Sequence, residues 1–135
     1  MKFDDQLTTI GLVGTGGHGR DTMPILQAWV AEQQARHKIE LCYVDVKAGS
    51  PIHGIPVVSE DDFLSRKHTR LFNVAIADSR LREKIAVKYE QAGCLPLDIK
   101  ASNFLQVGTN VIGDGAIFSP FTCITSDIKI GKYFH

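Results

Sequence analysis

Gly14-Thr15-Gly16-Gly17-His18-Gly19-Arg20 follows directly on the apolar run Ile10 to Val13, and residues of these types at this spacing can hold a phosphate. Gly14, Gly16 and Gly19 satisfy the pattern G-x-G-x-x-G between a strand and a helix. Gly14 permits the turn, Gly16 lets a phosphate approach backbone N–H groups, and Gly19 lets the helix pass close to the sheet. The helix N-terminus adds unpaired donors and a favourable dipole. The expected occupant is a phosphate-bearing ligand; the alternative is a plain strand-to-helix junction. His18 lies inside the loop, either against phosphate or as an exposed turn residue. Arg20, in the first helical turn, either neutralises a phosphate or stands in solvent.

Further along, Asp45 closes the second expected strand, 26 residues beyond Gly19. A carboxylate there can accept hydrogen bonds from a ribose or a base edge, or it can cap the following turn. Asp78, Ser79 and Arg80 fall at the carboxyl end of the next main strand, the side on which open α/β sheets bind ligands. Asp78 is equally suited to start a helix, and that local role is preferred. The expected substrate-binding residues are therefore Gly14, Gly16, Gly17, His18, Gly19, Arg20, Asp45, Asp78 and Arg80, with no metal site.

Composition narrows the classes of function. Fifteen basic and fifteen acidic side chains give a formal net charge of zero, so no global field gathers nucleic acid or an anionic membrane. No stretch approaches the roughly 20 apolar residues that cross a bilayer, and Met1-Lys2-Phe3-Asp4-Asp5-Gln6 lacks the order of an export signal. A cytoplasmic protein is expected. Cys42, Cys94 and Cys123 are odd in number and set among apolar residues, so each is expected to be a buried thiol.

The elements that must position the loop are legible as changes of period. A strand over 8–13 passes into a helix over 21–36, with Met23, Ile25, Leu26, Trp29 and Val30 on an inward face. Strands follow at Ile39 to Val46 and Leu71 to Ala77, separated by a break at Ala48-Gly49-Ser50-Pro51, a short extended piece at 54–58 and helical turns capped by Ser59 or Ser65. A helix over Arg80 to Gln91 carries Leu81, Ile85, Val87 and Tyr89 as an apolar stripe, and Cys94 to Ile99 supplies another short strand. Strands alternating with helices indicate a parallel, Rossmann-like sheet domain, assigned to residues 1–102.

After Ser102 the period becomes six. Ile112, Phe118, Ile124 and Ile130 repeat at one position, each followed by Gly113, Ser119, Thr125 or Gly131. Ala116, Thr122, Ile128 and Phe134 repeat at the fifth. Flat strands joined by tight corners, three to a turn, stack such residues inward. Residues 103–135 are thus expected to begin a coil that is cut short, with an irregular start because Val107-Gly108 lies five residues before Ile112. So short a coil leaves an open edge and needs more turns or a partner.

Val13 to Arg20, then Gly54-Ile55-Pro56-Val57, then Ala75-Ile76-Ala77-Asp78-Ser79-Arg80-Leu81-Arg82 resemble successive signatures of the bacterial sugar acyltransferases, the group of sialic acid O-acetyltransferases and amino-sugar acetyltransferases. The hexads resemble the start of their left-handed parallel β-helix. This resemblance implies a first domain that binds a nucleotide-sugar acceptor, and β-helix coils of a homotrimer that deliver an acetyl group from acetyl-CoA to an amine or hydroxyl. It also implies a general-base histidine in a His-Asp pair on a later coil. No His-Asp dipeptide occurs here, and His135 belongs to the coil before the expected catalytic one, so catalytic residues are left unassigned. Ala101-Ser102-Asn103 stands where relatives carry His-Pro. Two other readings remain open: an NAD-dependent oxidoreductase, which needs a substrate domain where the coil stands, and a noncatalytic nucleotide-sugar-binding or trimer-assembly fragment.

Overall fold

The computed structural model describes residues 6–135; Met1 to Asp5, most of the segment read for an export signal, lie outside the described residues. Strand β1 (Thr8–Val13) is buried at every position. It lies between β2 (Ile39–Asp45) and β5 (Thr69–Val74), parallel to both. A strand covered on both faces needs apolar or β-branched residues without alternation, which is how Thr8 to Val13 reads. Helix α1 (Gly17–Gln33) packs Met23, Leu26 and Val30 on one face of the sheet. On the other face, α2 (Glu60–Ser65) contributes Phe63 and α3 (Ser79–Gln91) contributes Ala86 and Tyr89. Ser59 caps α2, its hydroxyl accepting the Asp62 N–H.

Two expectations about this domain are corrected. Ala48 to Pro51 is no break: β3 (Gly49–Ile52) and β4 (Ile55–Ser59) form an antiparallel hairpin at the sheet edge. It turns at His53-Gly54, both left-handed with φ 47° and 80°, the backbone that two-residue hairpins require. Pro51 is tolerated because an edge strand can spare a donor. On α3 the buried stripe is Ala86 and Tyr89, with Ile85 partly covered, while Leu81 and Val87 face outward. The sheet order is β3-β4-β2-β1-β5-β6, where β6 is Leu95–Pro96.

Beyond it the chain winds in three-sided turns. Strands β7 (Ile99–Lys100), β8 (Leu105–Gln106), β9 (Val111–Ile112), β10 (Ile117–Phe118), β11 (Cys123–Ile124) and β12 (Lys129–Ile130) start six residues apart. Each of the first three pairs in parallel with the strand one turn on: Ile99 with Ile117, Leu105 with Cys123, Val111 with Lys129. The strand spacing is regular from the start, contrary to expectation, while the left-handed Gly108 at φ 74° falls seven residues before Gly115 rather than six. The position held later by Ile112, Phe118, Ile124 and Ile130 is occupied in the first two hexads by Lys100 and Gln106, so hydropathy hides the register there. Corners fall on Gly115, Phe121, Asp127 and Tyr133, all left-handed with φ 80°, 62°, 64° and 54°. Inside, Phe104 stacks on Phe118 with ring centres 4.2 Å apart. Asn103 and Asn110 accept the Phe121 and Ile128 N–H groups of the next turn. Cys42 and Cys94 are buried, but Cys123 is exposed, because the first residue of its strand points out of the coil.

Sheet and coil are joined by two polar side chains, one buried and one at the surface. Asn73, 1% exposed, donates to the carbonyls of Leu97 and Gly115 at 2.7 and 3.1 Å and accepts the Val74 N–H at 2.7 Å. Asp98 accepts the Gly115 and Ala116 N–H groups. Around this joint Ile99 and Ile117 complete the core under α1, and Tyr133 completes the core under α3. Truncating Asn73 strands two buried carbonyls and an amide, each costing on the order of 1–3 kcal/mol when unpaired. Asn73→Ala is expected to lower the unfolding free energy by about 3 kcal/mol in denaturant titration, against less than about 0.5 kcal/mol for the exposed Lys129→Ala.

Candidate nucleotide-binding site

The glycine loop leaves β1 at the carboxyl edge of the sheet. Gly14 is left-handed at φ 115°, and a Cβ there would meet the Ala75 carbonyl oxygen at 2.7 Å. A Cβ on Gly19 would overlap the Gly14 carbonyl oxygen, so only glycine lets α1 start this close to the strand end. Gly16 and Gly17 differ: nothing lies within 4 Å of a Cβ on either. Gly16 is the N-cap, with no side-chain cap and no acidic residue in the first turn of α1. The helix therefore presents unpaired N–H donors and the positive end of its dipole to open space.

Thr15 ties this loop to the end of β2, its hydroxyl donating to Asp45 Oδ2 at 2.9 Å, while Oδ1 accepts the Val46 N–H at 2.7 Å. Asp45 thus caps its own turn and also braces the loop. Arg20 folds back, Nε donating to the Thr15 carbonyl at 3.0 Å. Asp78 caps α3 by accepting the Arg80 and Leu81 N–H groups. It lines a shallow depression with Arg80, Leu81, Lys84 and Val87 on the outer side of α3. The fold brings Gly14, Gly16, Gly17, His18, Gly19, Arg20 and Asp45 together, and sets Asp78 and Arg80 on that other surface.

Two residues not selected from the sequence join the loop. His18 Nε2 lies 2.9 Å from Nδ1 of His135, with ring centres 4.9 Å apart. Arg82 lies beside them, donating to the carbonyls of Ile76, Ala77 and Tyr133. Burial, then the Arg82 guanidinium, lowers the His18 pKa, partly opposed by Asp21. Burial, then Arg82 and His18, lowers that of His135 to about 3. Both rings are neutral at physiological pH. The signals for these residues were a register of 18, which aligns His135 with Ile117, and the position of Arg82 one turn beyond the Asp78 cap.

Two cavities flank the joint. One, about 470 Å³, lies between α3 and the coil and is lined by Ser79, Arg82, Glu90, Lys132 and Tyr133. The other, about 360 Å³, separates α1 from the coil and includes Trp29, Lys100 and Asn103. Trp29, expected in the core, is only partly buried on that cleft. Among the described residues, no group of three or more His, Cys, Asp and Glu side chains can hold a metal ion, and no helix is long and apolar enough to cross a membrane.

Residues 9–89 match the PglD N-terminal domain. Over 127 residues, 93% of the chain, the sequence is 36% identical to a GDP-perosamine N-acetyltransferase of Escherichia coli O157:H7. The structure of WeeI from Acinetobacter baumannii AYE superposes with a TM-score of 0.83 at 35% identity, over 95% of this chain and 60% of that one. A perosamine N-acetyltransferase from Caulobacter crescentus, solved with CoA and GDP-perosamine, superposes with a TM-score of 0.77 at 23% identity, over 92% and 57%. That last likeness is one of fold. The chain spans 57% of the Escherichia coli relative.

The loop geometry and the histidine pair each make a prediction. Gly19→Ala is expected to cost about 2–3 kcal/mol through overpacking, and Gly16→Ala or Gly17→Ala less than about 1 kcal/mol, measured by thermal unfolding. The pair binds protons less readily folded than unfolded, so its contribution is whole above the unfolded pKa of about 6.5 and is lost as pH falls from there toward 3. The melting temperature should therefore drop more between pH 7 and pH 5 in the unsubstituted chain than in His135→Gln, which cannot titrate.

Proposed function

This chain belongs to the PglD N-terminal domain family, and we propose that it forms the acceptor-binding part of an acetyl-CoA-dependent nucleotide-sugar N-acetyltransferase. The observation that carries this reading is the uncapped, open start of α1 facing the beginning of a third coil turn, with His18 and His135 in contact. The diphosphate of the acceptor lies on the amides of Gly16 and Gly17 at the positive end of α1. Arg20 lies alongside. Ribose or base meets Asp45 at the end of β2, braced by Thr15. The relative that is 36% identical is named a GDP-perosamine N-acetyltransferase, which supports a guanosine diphosphate carrier and an amine as the accepting atom.

The reaction is direct transfer. The sugar amine attacks the thioester carbonyl of acetyl-CoA, a neutral base takes its proton, and coenzyme A leaves as the thiol. The sequence contains no His-Asp dipeptide, so the base is assigned to coil turns outside these residues and acceptor capture to this chain. Leu105, Val111 and Phe121, exposed at 57, 64 and 88%, are apolar side chains on the outside of the coil. They suit packing against other copies in a homotrimer. A nucleotide-sugar acceptor and acetyl-CoA as donor support a cytoplasmic activity. The coil also stands where an NAD-dependent oxidoreductase would need its substrate domain.

Titration calorimetry is expected to show GDP-perosamine binding to this chain and at least a tenfold loss in Gly16→Trp, with no acetyl transfer from acetyl-CoA. Binding of NAD without binding of GDP-perosamine would support the oxidoreductase instead.

A further inference from the structure

Residues 18 apart stack in one column of the coil. On the face turned toward the first domain that column reads Ile99, Ile117, His135. The lower two members are 3 and 2% exposed and belong to the core beneath α1. The third rises past the strand ends to the level of the glycine loop and meets His18 there. An imidazole replaces isoleucine at the height where the neighbour changes from packed helix to open loop.

From this geometry we infer that His135 is a positioning residue for the acceptor site: it donates from Nδ1 to Nε2 of His18 and so holds His18 as an Nδ1 donor toward a ligand on the loop. The inference rests on the acceptor site proposed above. One proton lies between the facing nitrogens, which are 2.9 Å apart, and two arrangements are available to a neutral pair. If His18 donated, Nε2 of His135 would have to carry the other hydrogen. That atom is buried without a partner among the described residues, and a buried N–H lacking an acceptor is costly. The nearby Arg82 guanidinium, held by three backbone carbonyls, also disfavours a donor there and favours a lone pair. With the proton on Nδ1 of His135, Nε2 of His18 accepts and its Nδ1 bears the hydrogen.

Charged groups acting on the pair come from both helices, Arg82 on α3 and Asp21 on α1. Burial acts most strongly on both rings and Arg82 adds to it, opposed by Asp21 at His18 alone, so both rings stay neutral. A neutral, pre-oriented donor suits a phosphate oxygen or a sugar hydroxyl, because it needs no proton uptake on binding. Tyr133 supports the geometry, since its carbonyl takes the Arg82 Nε proton two residues before His135.

Long-range proton–nitrogen correlation spectra of the ¹⁵N-labelled chain at pH 7.5 read the tautomer directly, without ligand. The expected pattern is a protonated Nδ1 and a bare Nε2 on His18; the reverse pattern overturns the inference. His135→Phe keeps a ring and removes the donor, and should weaken GDP-perosamine about tenfold while barely moving the melting temperature. His135→Gln, whose amide can still donate, should recover most of that affinity. Equal affinity in all three chains sinks the role of His135 alone. Failure of the unsubstituted chain to bind GDP-perosamine sinks the acceptor reading as well, while the tautomer still separates the two failures.

Discussion

The side chain of Asn73 sits near the carboxyl end of β5, shielded from water, and bonds backbone groups from the sheet, from the segment leaving it and from the corner at Gly115 that leads into the second coil turn. An amide offers two donors and an acceptor, and three backbone groups meet them. An apolar side chain of similar size would leave those groups buried and unpaired. Two turns of coil enclose only a small interior, centred on Ala116, Phe118 and Ile124. The coil therefore depends on its docking. Ile99 and Ile117 are covered by α1, and Tyr133 by the α3 side of the sheet. Asn73 and Asp98 fix the angle at which both contacts are made.

That angle decides what lies above the glycine loop. Gly115 has no room for a Cβ because the Tyr133 ring packs against it, and Tyr133 itself holds a left-handed corner at φ 54°. A bulky residue in that conformation carries strain, on the order of 1–3 kcal/mol, and burial of its ring offsets it. The corner aims the Tyr133 carbonyl at Arg82 and delivers His135 to His18. Burial first, and then one cation pinned by backbone oxygens, lowers the pKa of two histidines that are 117 positions apart in sequence. Local packing at a corner becomes electrostatics at a loop.

Much of this was legible in the residue order. Apolar and β-branched residues ending at a glycine cluster marked β1 as a strand, and the glycines marked the turn into α1, with Gly14 and Gly19 required by contacts that the pattern G-x-G-x-x-G encodes. Asp78 read correctly as a helix cap. The β3–β4 hairpin was hidden because Gly49 and Pro51 suggest a loop and only an edge position makes them tolerable. The first two hexads were hidden because Lys100 and Gln106 stand at positions that are apolar in later turns. Leu81 and Val87 misled because helical spacing fixes a stripe but not which stripe is covered. Arg82 and His135 were out of reach for a different reason: their contacts exist only after the coil docks, and no local period reports a docking angle.

The central claim is that an acceptor nucleotide-sugar lies on the open start of α1 beneath the third coil turn. Amide chemical-shift mapping during titration with GDP-perosamine tests it at residue level. The expected result is a set of perturbations centred on Gly16, Gly17, His18 and His135, with smaller ones at Thr15 and Asp45. Perturbations confined to the cleft beside Trp29 and Asn103, or to the outer side of α3 around Leu81 and Val87, would contradict it.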